Sequence, residues 1–425
     1  MKKLTKLIVC VLLLALVLPN VAQAAAVKEQ SQQIIYFEDG SYVTVEISMI
    51  ETRTTSTRTG TKTYTGKDNS GNEQWRAVLT GRFTYDGNTA TCTSSSCSVT
   101  VVNDAWYVVS KSTSKSGNSA LGDLTMGRYY SLNEYLQEQF GQKVYKLALD
   151  IGCTCPNRDG TLGRGGCIFC HNGSSHFAEV GIDINTQIEN AKNRVKSKTK
   201  TEKFIAYFQS FTNTYGDITY LKKQFATAIK RQDIVALSIG TRPDCLPHEI
   251  LEMLENLNKI KPVWIELGLQ TSNEKTAEYI RRGYKNDVYE NAVKALKSKG
   301  ITVITHIIIG LPNETKEDIL NTVDFAVKCG TDGVKLQLLH ILKDTDLYED
   351  YKQGKVEVLS LEKYIDILFA CIEKIPKNIV IHRITGDAPK SLLVEPLWSA
   401  DKKMVLNTIN KELEKRDIMQ GRYAL

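Results

Sequence analysis

The densest group of reactive side chains in this chain of 425 residues is a glycine-rich loop with four cysteines, Cys153, Cys155, Cys167 and Cys170. Cys167 and Cys170 are separated by two residues, a spacing that aims both thiolates at one point, and the glycines before them let the backbone curl around a bound centre. Four thiolates would suit a closed tetrahedral zinc site or a fully ligated cluster, whereas three would leave one coordination position open for chemistry. Because Cys153 lies two residues before Cys155 at the end of a predicted strand, it can share a face with Cys155, and the number of ligands stays open.

A parallel sheet is predicted to carry this loop, because strand-like apolar runs alternate with amphipathic helical windows along the second part of the chain. The predicted strands are residues 144–151, 204–208, 234–240, 264–270, 302–310 and 333–338. The predicted helices are residues 184–198, 219–230, 247–257, 288–299, 316–329, 361–375 and 402–416. Tandem strand–helix units of this kind predict an α/β fold in which helices cover a parallel sheet that curls into a partial or complete (β/α) barrel, like a TIM barrel.

Polar or glycine-containing segments follow each predicted strand. They are residues 153–170, 209–215, 240–244, 270–273, 310–314 and 340–344. Because catalytic groups in parallel α/β folds collect at the carboxyl ends of the strands, we expect these segments to meet at one rim and to form an active site there.

From about residue 126 to the C-terminus, the chain resembles a radical S-adenosylmethionine (radical SAM) enzyme, specifically the YhcC-like branch of the group that includes the elongator catalytic subunit. The motifs that carry the resemblance are Cys155-Pro-Asn-Arg-Asp-Gly-Thr161, Gly165-Gly-Cys-Ile-Phe-Cys170, Ala206-Tyr-Phe-Gln-Ser-Phe-Thr-Asn-Thr-Tyr215, Glu266-Leu-Gly-Leu-Gln-Thr271, Gly310-Leu-Pro-Asn-Glu-Thr315 and Arg383-Ile-Thr-Gly-Asp387. The resemblance implies that Cys155, Cys167 and Cys170 hold a [4Fe-4S] cluster, that Cys153 is a spare thiol beside it, and that the free iron chelates S-adenosylmethionine.

The resemblance also implies an activity: electron transfer from the cluster cleaves S-adenosylmethionine to a 5′-deoxyadenosyl radical, which abstracts hydrogen from a substrate. It implies a reductant such as flavodoxin or ferredoxin as a partner, and because related branches modify transfer RNA bases, RNA is the candidate substrate. The net charge of +6 with scattered basic residues argues neither for nor against nucleic acid. The alternative is a zinc-stabilised or cluster-stabilised secreted binding protein without radical chemistry.

Seven residues are predicted from the resemblance to contact S-adenosylmethionine. Phe169 is expected to lie beside the adenine. Gln209 and Ser210 are expected at the amino group, although their sequence departs from the Gly-Gly-Glu-like turn that related enzymes have there. The others are Arg242 and Gln270 at the carboxylate or ribose, and Gly310 and Pro312, where the backbone would approach the adenine. The structural alternatives are a loop aromatic for Phe169, a rim salt bridge for Arg242 and a tight turn for Gly310.

No catalytic residue is assigned from the sequence. His306, His340 and His382 are interpreted as hydrogen-bonded structural residues, as most lone histidines are, and Glu266 and Asp387 are candidate substrate contacts.

The N-terminal part of the chain has a different composition. Three lysines precede the apolar residues 7–18 and the small-residue site Ala22-Gln-Ala24, which is the order of a secretory signal peptide at residues 1–24. Twelve apolar residues are too few for a stable membrane anchor. Residues 25–110 read as short strands of a small antiparallel β-sandwich, residues 111–125 as a linker, and residues 126–425 as the radical SAM domain. A hairpin disulfide between Cys92 and Cys97 is expected if this part is exported, with two unpaired thiols as the alternative.

The two parts of the sequence predict different cellular locations. The leader predicts export, whereas an open [4Fe-4S] cluster requires reducing, cytoplasmic conditions. We therefore predict that the reading frame joins two formerly separate proteins and that the enzyme begins at Met126.

Overall fold

The computed structural model describes residues 10–15, 31–36, 41–51, 57–85, 90–102, 107–116, 119–171, 178–197 and 201–424. The chain divides into two compact units, Met1–Tyr129 and Tyr130–Leu425. None of the helices in these described ranges combines the length and the apolar character that a membrane span needs.

The first unit is built from antiparallel strands. They are β1 (Cys10–Ala15), β2 (Ser31–Tyr36), β3 (Tyr42–Glu51), β4 (Thr57–Lys67), β5 (Glu73–Tyr85), β6 (Ala90–Val101), β7 (Tyr107–Ser116) and β8 (Ser119–Gly127). Strands β2 to β6 form a five-stranded sheet in chain order, and β1, β8 and β7 form a three-stranded sheet. Trp75, Ala77 and Leu79 alternate along β5 and lie in the buried core, as expected for a sheet with one apolar face.

The predicted linker at residues 111–125 is wrong where the structure describes it, because β7 and β8 pair antiparallel there, with Thr113 opposite Gly122. The Ser, Lys and Thr residues of this segment resemble a flexible tract in composition, but their backbones pair and Ala120 is buried in the core of the unit. Residues 57–67 form a strand that the sequence analysis missed. Strand β1 lies inside the predicted leader and pairs with residues 119–124 of β8.

The predicted hairpin disulfide is also wrong. Cys92 and Cys97 lie on one strand, β6, where five residues span about 16 Å, more than twice the Cα separation that a disulfide bridges. Neither cysteine forms a disulfide; Cys92 is buried and Cys97 is partly exposed. The sequence of residues 25–110 also predicts turns at residues 38–40, 69–71 and 86–88. The first and last lie outside the described residues, whereas the turn at residues 69–71 is closed by the Gly71 N–H, which donates to the Asp68 carbonyl oxygen at 3.0 Å.

The second unit alternates strands and helices. Its strands are β9 (Tyr145–Leu149), β10 (Phe204–Phe208), β11 (Ile234–Thr241), β12 (Val263–Gln270), β13 (Thr302–Ile309), β14 (Gly333–Leu338), β15 (Ile341–Leu342), β16 (Val380–Arg383) and β17 (Leu393–Glu395). Its helices are α1 (Leu132–Phe140), α2 (Ile184–Val195), α3 (Ile218–Ile229), α4 (His248–Asn258), α5 (Glu274–Tyr279), α6 (Asn286–Ser298), α7 (Lys316–Cys329), α8 (Asp346–Lys352), α9 (Leu361–Lys374) and α10 (Lys402–Lys415).

Seven of these strands form one parallel sheet in the order β16-β14-β13-β12-β11-β10-β9. Each strand pairs with its neighbour in parallel register, for example Phe208 of β10 with Ile239 of β11. The order follows the chain, and β9 and β16 are the two edges, so the sheet is a partial parallel barrel. The predicted α/β fold class, with a small antiparallel β region before it, is confirmed.

The helices of the second unit have the local signals that start and stop a helix. Helix α7 begins at a capping box, in which the Thr315 hydroxyl accepts from the Asp318 N–H and the Asp318 carboxylate accepts from the Thr315 N–H. It ends at Gly330, whose φ of 95° is a left-handed conformation that favours glycine. Ile319, Val323 and Ala326 form its buried face.

Replacing Thr315 with alanine is predicted to destabilise the second unit by about 1 kcal/mol, because α7 loses the acceptor for the Asp318 N–H, 3.2 Å away. Chemical denaturation followed by circular dichroism measures the change. The matched control is Thr408→Ala in the middle of α10, where the hydroxyl donates to the carbonyl oxygen and the Sδ atom of Met404 and no cap is lost. An equal loss of stability in the two variants would contradict the assignment of the cap.

Candidate functional site

A cavity of about 430 Å³ lies among residues of the predicted rim. All but one of the polar segments predicted to meet there contribute to its lining, and the exception is residues 310–314. Residues in or directly after β10 to β14 and β16 line the cavity together with the cysteine loop that follows β9. The prediction that the polar and glycine-containing segments meet at the carboxyl ends of the strands therefore holds for five of the six segments.

The cysteine loop is held in shape by its own backbone. The Arg158 N–H donates to the Cys155 carbonyl oxygen at 2.8 Å, and the Gly166 N–H donates to the Asn157 carbonyl oxygen at 2.9 Å. Gly166 has a φ of 84°, and a Cβ atom built on it would lie 2.9 Å from the Cγ atom of Arg158. The glycine is therefore required at this position both by backbone conformation and by space.

Three of the four thiols share the rim cavity. Cys155, Cys167 and Cys170 line it, whereas Cys153 lines a second cavity together with Cys245. A hydrogen bond from Cys170, helped by nearby arginine charges, lowers the pKa of Cys167 to about 7 despite its burial. The same hydrogen bond and burial raise the pKa of Cys170 well above its ordinary value. Burial raises the pKa of Cys153 to about 12, so this thiol stays protonated at neutral pH.

The donor set fits a cluster better than a single metal ion. No group of three or more His, Cys, Asp or Glu side chains within the described ranges is arranged to hold one ion. A cubane cluster instead takes each thiolate on a different iron, so its ligands stand farther apart than those of one ion. Since Cys153 lines another cavity, the cysteine loop offers three thiols to the rim cavity.

Of the residues predicted to contact S-adenosylmethionine, Phe169, Gln209 and Gln270 line the cavity. Gln270 has a φ of 67°, an uncommon backbone conformation for a residue other than glycine. Its Oε1 atom is buried and has no hydrogen-bond partner among the described residues. The neighbouring Gly268 leaves room for this side chain, since a Cβ atom there would lie 2.7 Å from the Nε2 atom of Gln270. Such an unpaired buried oxygen in a cavity is suited to accept a hydrogen bond from a ligand.

The other predicted contacts are placed differently. Ser210 is buried, and its hydroxyl has no hydrogen-bond partner among the described residues, but it does not line the cavity. Arg242 lines the cavity and donates through Nε and Nη2 to the Asp244 carboxylate at 2.9 and 2.7 Å, which is the rim salt bridge expected as the structural alternative. Gly310, with a φ of 97°, and Pro312 do not line the cavity. The structure thus does not bring these last two residues to the site, and the predicted ligand contacts remain predictions.

Sequence reasoning missed a polar network in the interior of the sheet. The Oε1 atom of the fully buried Glu266 accepts hydrogen bonds from Lys146 Nζ at 2.7 Å and Ser238 Oγ at 2.6 Å. Its Oε2 atom accepts from His306 Nε2 at 2.8 Å and from the ammonium group of Lys335. The signal was available, because charged residues inside otherwise apolar strands point to a buried, paired site.

Burial and the neighbouring charges shift the pKa values of the groups in this network. Burial opposes ionisation of Glu266, but the positive charges of Lys146 and Lys335 outweigh it and hold the pKa of the carboxyl well below its usual range. Burial lowers the pKa of Lys335 to about 7, against the attraction of Glu266 and with the repulsion of Lys146 and Arg383. Burial and the charge of Lys335 lower the pKa of His306 to about 4, so this imidazole is neutral at physiological pH. Its neutral form donates to Glu266 and accepts from Gln337 Nε2 at 3.2 Å.

His340, His382 and Asp387 contact other side chains of the protein. His340 Nε2 lies 3.1 Å from the Ser399 hydroxyl, and burial lowers the pKa of His340 to about 4. His382 packs edge-on against Trp264, with ring centroids 5.9 Å apart. Asp387 accepts from Lys402 Nζ at 2.7 Å and lies 3.4 Å from Arg383 Nη2.

Comparisons with known proteins agree with this site. Residues 154–326 match the Radical SAM superfamily, and residues 331–415 match the Radical_SAM C-terminal domain. YtqA of Bacillus subtilis (strain 168) is 44% identical over 301 residues, which are 70% of this chain and 94% of YtqA. YhcC of Escherichia coli (strain K12) is 36% identical over 264 residues, 62% of this chain and 85% of YhcC. The matches to these two relatives support the predicted YhcC-like branch.

More distant similarities extend to proteins of the elongator group. The tRNA uridine(34) acetyltransferase of Methanocaldococcus jannaschii is 30% identical over 192 residues, 43% of this chain and 34% of that protein. The structure of the archaeal Methanocaldococcus infernus Elp3 with an N-terminal deletion has a TM-score of 0.52 at 20% identity, covering 65% of this chain and 64% of that one, and supports the fold. This chain belongs to the radical SAM superfamily, and it is an enzyme whose cofactors are a [4Fe-4S] cluster and S-adenosylmethionine.

Proposed function

We propose that Cys155, Cys167 and Cys170 hold the cluster and that this enzyme abstracts a hydrogen atom from an RNA base. When bound, the cluster supplies one electron that cleaves S-adenosylmethionine to methionine and the 5′-deoxyadenosyl radical that takes the hydrogen. The observation that carries the proposal is that these three thiols, without Cys153, line one cavity together with the polar ends of the parallel strands.

The chain's own residues position the cofactor and keep water away. The loop glycines let the backbone wrap the cluster, and the unpaired Oε1 atom of Gln270 accepts a donor from S-adenosylmethionine. Phe169 packs against buried apolar residues that include Ile168 and Ile308, and it also lines the cavity. This apolar wall next to the thiols excludes water from the site where a reactive radical is formed.

RNA as the substrate rests on two supports. One relative is named as an acetyltransferase of uridine 34 in transfer RNA. This chain aligns with only 34% of that protein. The second support is the charge of the cavity, whose lining includes Arg158, Arg242, Arg282, Lys335 and Arg383 but only Glu266 and Asp387 as acidic residues. An excess of cationic side chains favours a substrate that carries negative charge.

The reaction needs one electron per cleavage, so a low-potential donor of the flavodoxin or ferredoxin type is the proposed partner. Its role is tested by replacing the chemical reductant with reduced flavodoxin in the cleavage assay. The same release of 5′-deoxyadenosine is expected.

Alanine at Cys155, Cys167 or Cys170 is predicted to remove most of the bound iron and to lower 5′-deoxyadenosine formation at least about 100-fold, since even outer partners of metal ligands change affinity or activity roughly 10–100-fold. Anaerobic reconstitution, iron analysis and chromatography of the products measure both effects. The matched control is Cys153→Ala in the same loop, which is expected to keep its iron because Cys153 lines the other cavity. Loss of iron in the Cys153 variant equal to that in the other three would contradict the three-ligand assignment and favour a four-thiol site.

The predicted signal peptide and the β-region before the enzyme imply export, whereas the cluster requires the reducing conditions of the cytoplasm. We propose that the functional enzyme is residues 126–425, a span similar in length to the 301 residues that align with YtqA. Cleavage after Ala24 would also remove β1 and leave the edge of β8 without its partner strand.

N-terminal analysis of the cellular protein by mass spectrometry is predicted to find a product that begins at Met126 and resides in the cytoplasm. The physical reason is that cluster assembly and an open iron need reducing conditions. A product that begins at Ala25, lies outside the cytoplasm and still holds iron would overturn this prediction.

A further inference from the structure

Two cationic side chains stand side by side in the interior of the sheet. Lys335 of β14 and Arg383 of β16 are Cα partners in the parallel ladder, and His306 of β13 is the partner of Lys335 on the other side. Both Lys335 and Arg383 line the rim cavity. Like charges directly opposite each other on neighbouring strands destabilise a sheet, so this arrangement needs a compensating negative charge.

The negative charge within the described residues does not balance this pair. Asp387, the acid beside Arg383 at 3.4 Å, is also held by Lys402 at 2.7 Å. Glu266 is shared by Lys146 and Lys335. Lys146, Arg383 and Lys402 thus stand against two carboxylates, which leaves an excess of one positive charge even without Lys335. An anion bound beside Lys335 would favour its protonated form and balance a second positive charge.

The pair also has hydrogen-bond donors available. An ammonium group has three N–H donors, and the Lys335 ammonium has two acceptors among the described residues, Glu266 and the Tyr207 hydroxyl at 3.0 Å. The guanidinium of Arg383 has five donors in a planar fork and is 33% exposed. A compact oxyanion between the two groups would satisfy both the charge and the donors.

We propose that Lys335 and Arg383 form an anion-binding subsite that holds the carboxylate or phosphate group of the substrate. This inference deepens the proposed function and rests on it. Glu266 and Lys146 act as positioning residues, because their contacts fix the Lys335 ammonium group at the cavity.

The depth of the subsite separates it from the cofactor. Lys335 lies three residues before the end of β14 at Leu338, which places it roughly 10 Å below the rim where the thiols converge. A group bound by Lys335 and Arg383 would therefore lie below the carboxyl end of β14, whereas the cysteine loop follows the carboxyl end of β9. This arrangement directs the substrate's anionic group inward and the reacting carbon toward the cofactor.

Titration of the reconstituted full-length enzyme with sodium acetate and with inorganic phosphate, at constant ionic strength and with saturating S-adenosylmethionine, tests the subsite. Ligand-observed NMR or calorimetry gives the dissociation constant for each anion. Arg383→Gln is expected to weaken binding roughly tenfold or more, because it removes a charge-assisted contact. The matched control is Arg422→Gln, since Arg422 is also 33% exposed and is paired with acids away from the cavity, and it is expected to bind the anions as the parent enzyme does.

Tighter binding of phosphate than of acetate is expected, because the proposed substrate is RNA. Tighter binding of acetate would support the subsite but contradict RNA as the substrate. Lys335→Met is a second variant with the same expected loss of anion binding. Because this change also removes a partner of the buried Glu266 carboxylate and can destabilise the fold, Arg383→Gln is the decisive variant. Equal anion binding by the two arginine variants, no binding of either anion to the parent enzyme, or loss of anion binding when S-adenosylmethionine is present would overturn the proposal.

The anion titration tests the subsite independently of the cleavage assay. If 5′-deoxyadenosine forms but no anion binds at Arg383, the subsite is wrong and the proposed function stands. If an anion binds with the predicted dependence on Arg383 but no cleavage occurs, the proposed function fails instead.

Discussion

The carboxylate of Glu266 is the interaction on which the interior of the sheet depends. It lies on β12 and accepts hydrogen bonds from β9, β11, β13 and β14 through Lys146, Ser238, His306 and Lys335. Removing one partner of such a buried charge group typically costs about 3–5 kcal/mol, because the remaining charge is left uncompensated. The network therefore ties the strands together and, at the same time, places a lysine at the cavity, so that one set of contacts serves both fold and site.

The periodicity of the sequence predicted six of the seven strands of the parallel sheet, but it missed β16 and the helices α1, α5 and α8. Apolar runs such as residues 204–208 coincide with a fully buried strand, and the capping box at Thr315 coincides with the start of α7. The thiol loop was recognisable because cysteine spacing and glycine content are local properties. Charged residues inside apolar strands indicate that a buried ion pair exists, but the sequence does not identify the partners, because residues from Lys146 to Lys335 approach each other only when the sheet is formed.

The first unit shows where local reasoning fails. The Ser, Lys and Thr residues after Tyr107 resemble a linker in composition, yet backbone pairing with β8 makes them a strand, and composition carries no information on the partner. The error for Cys92 and Cys97 has a similar origin, since a short spacing is equally compatible with a hairpin and with one strand. Gly310 has the positive φ of 97° that fits the tight turn expected as its structural alternative, and it does not line the cavity.

The central claim is that three thiolates leave one iron of the cluster free to bind S-adenosylmethionine. Electron paramagnetic resonance of the reduced, reconstituted enzyme tests it most directly, with S-adenosylmethionine labelled in its amino nitrogen and carboxylate oxygen. The account predicts that adding the cofactor shifts the signal of the cluster and that the labelled atoms show hyperfine coupling to it. An unchanged signal without coupling to either label would contradict the claim.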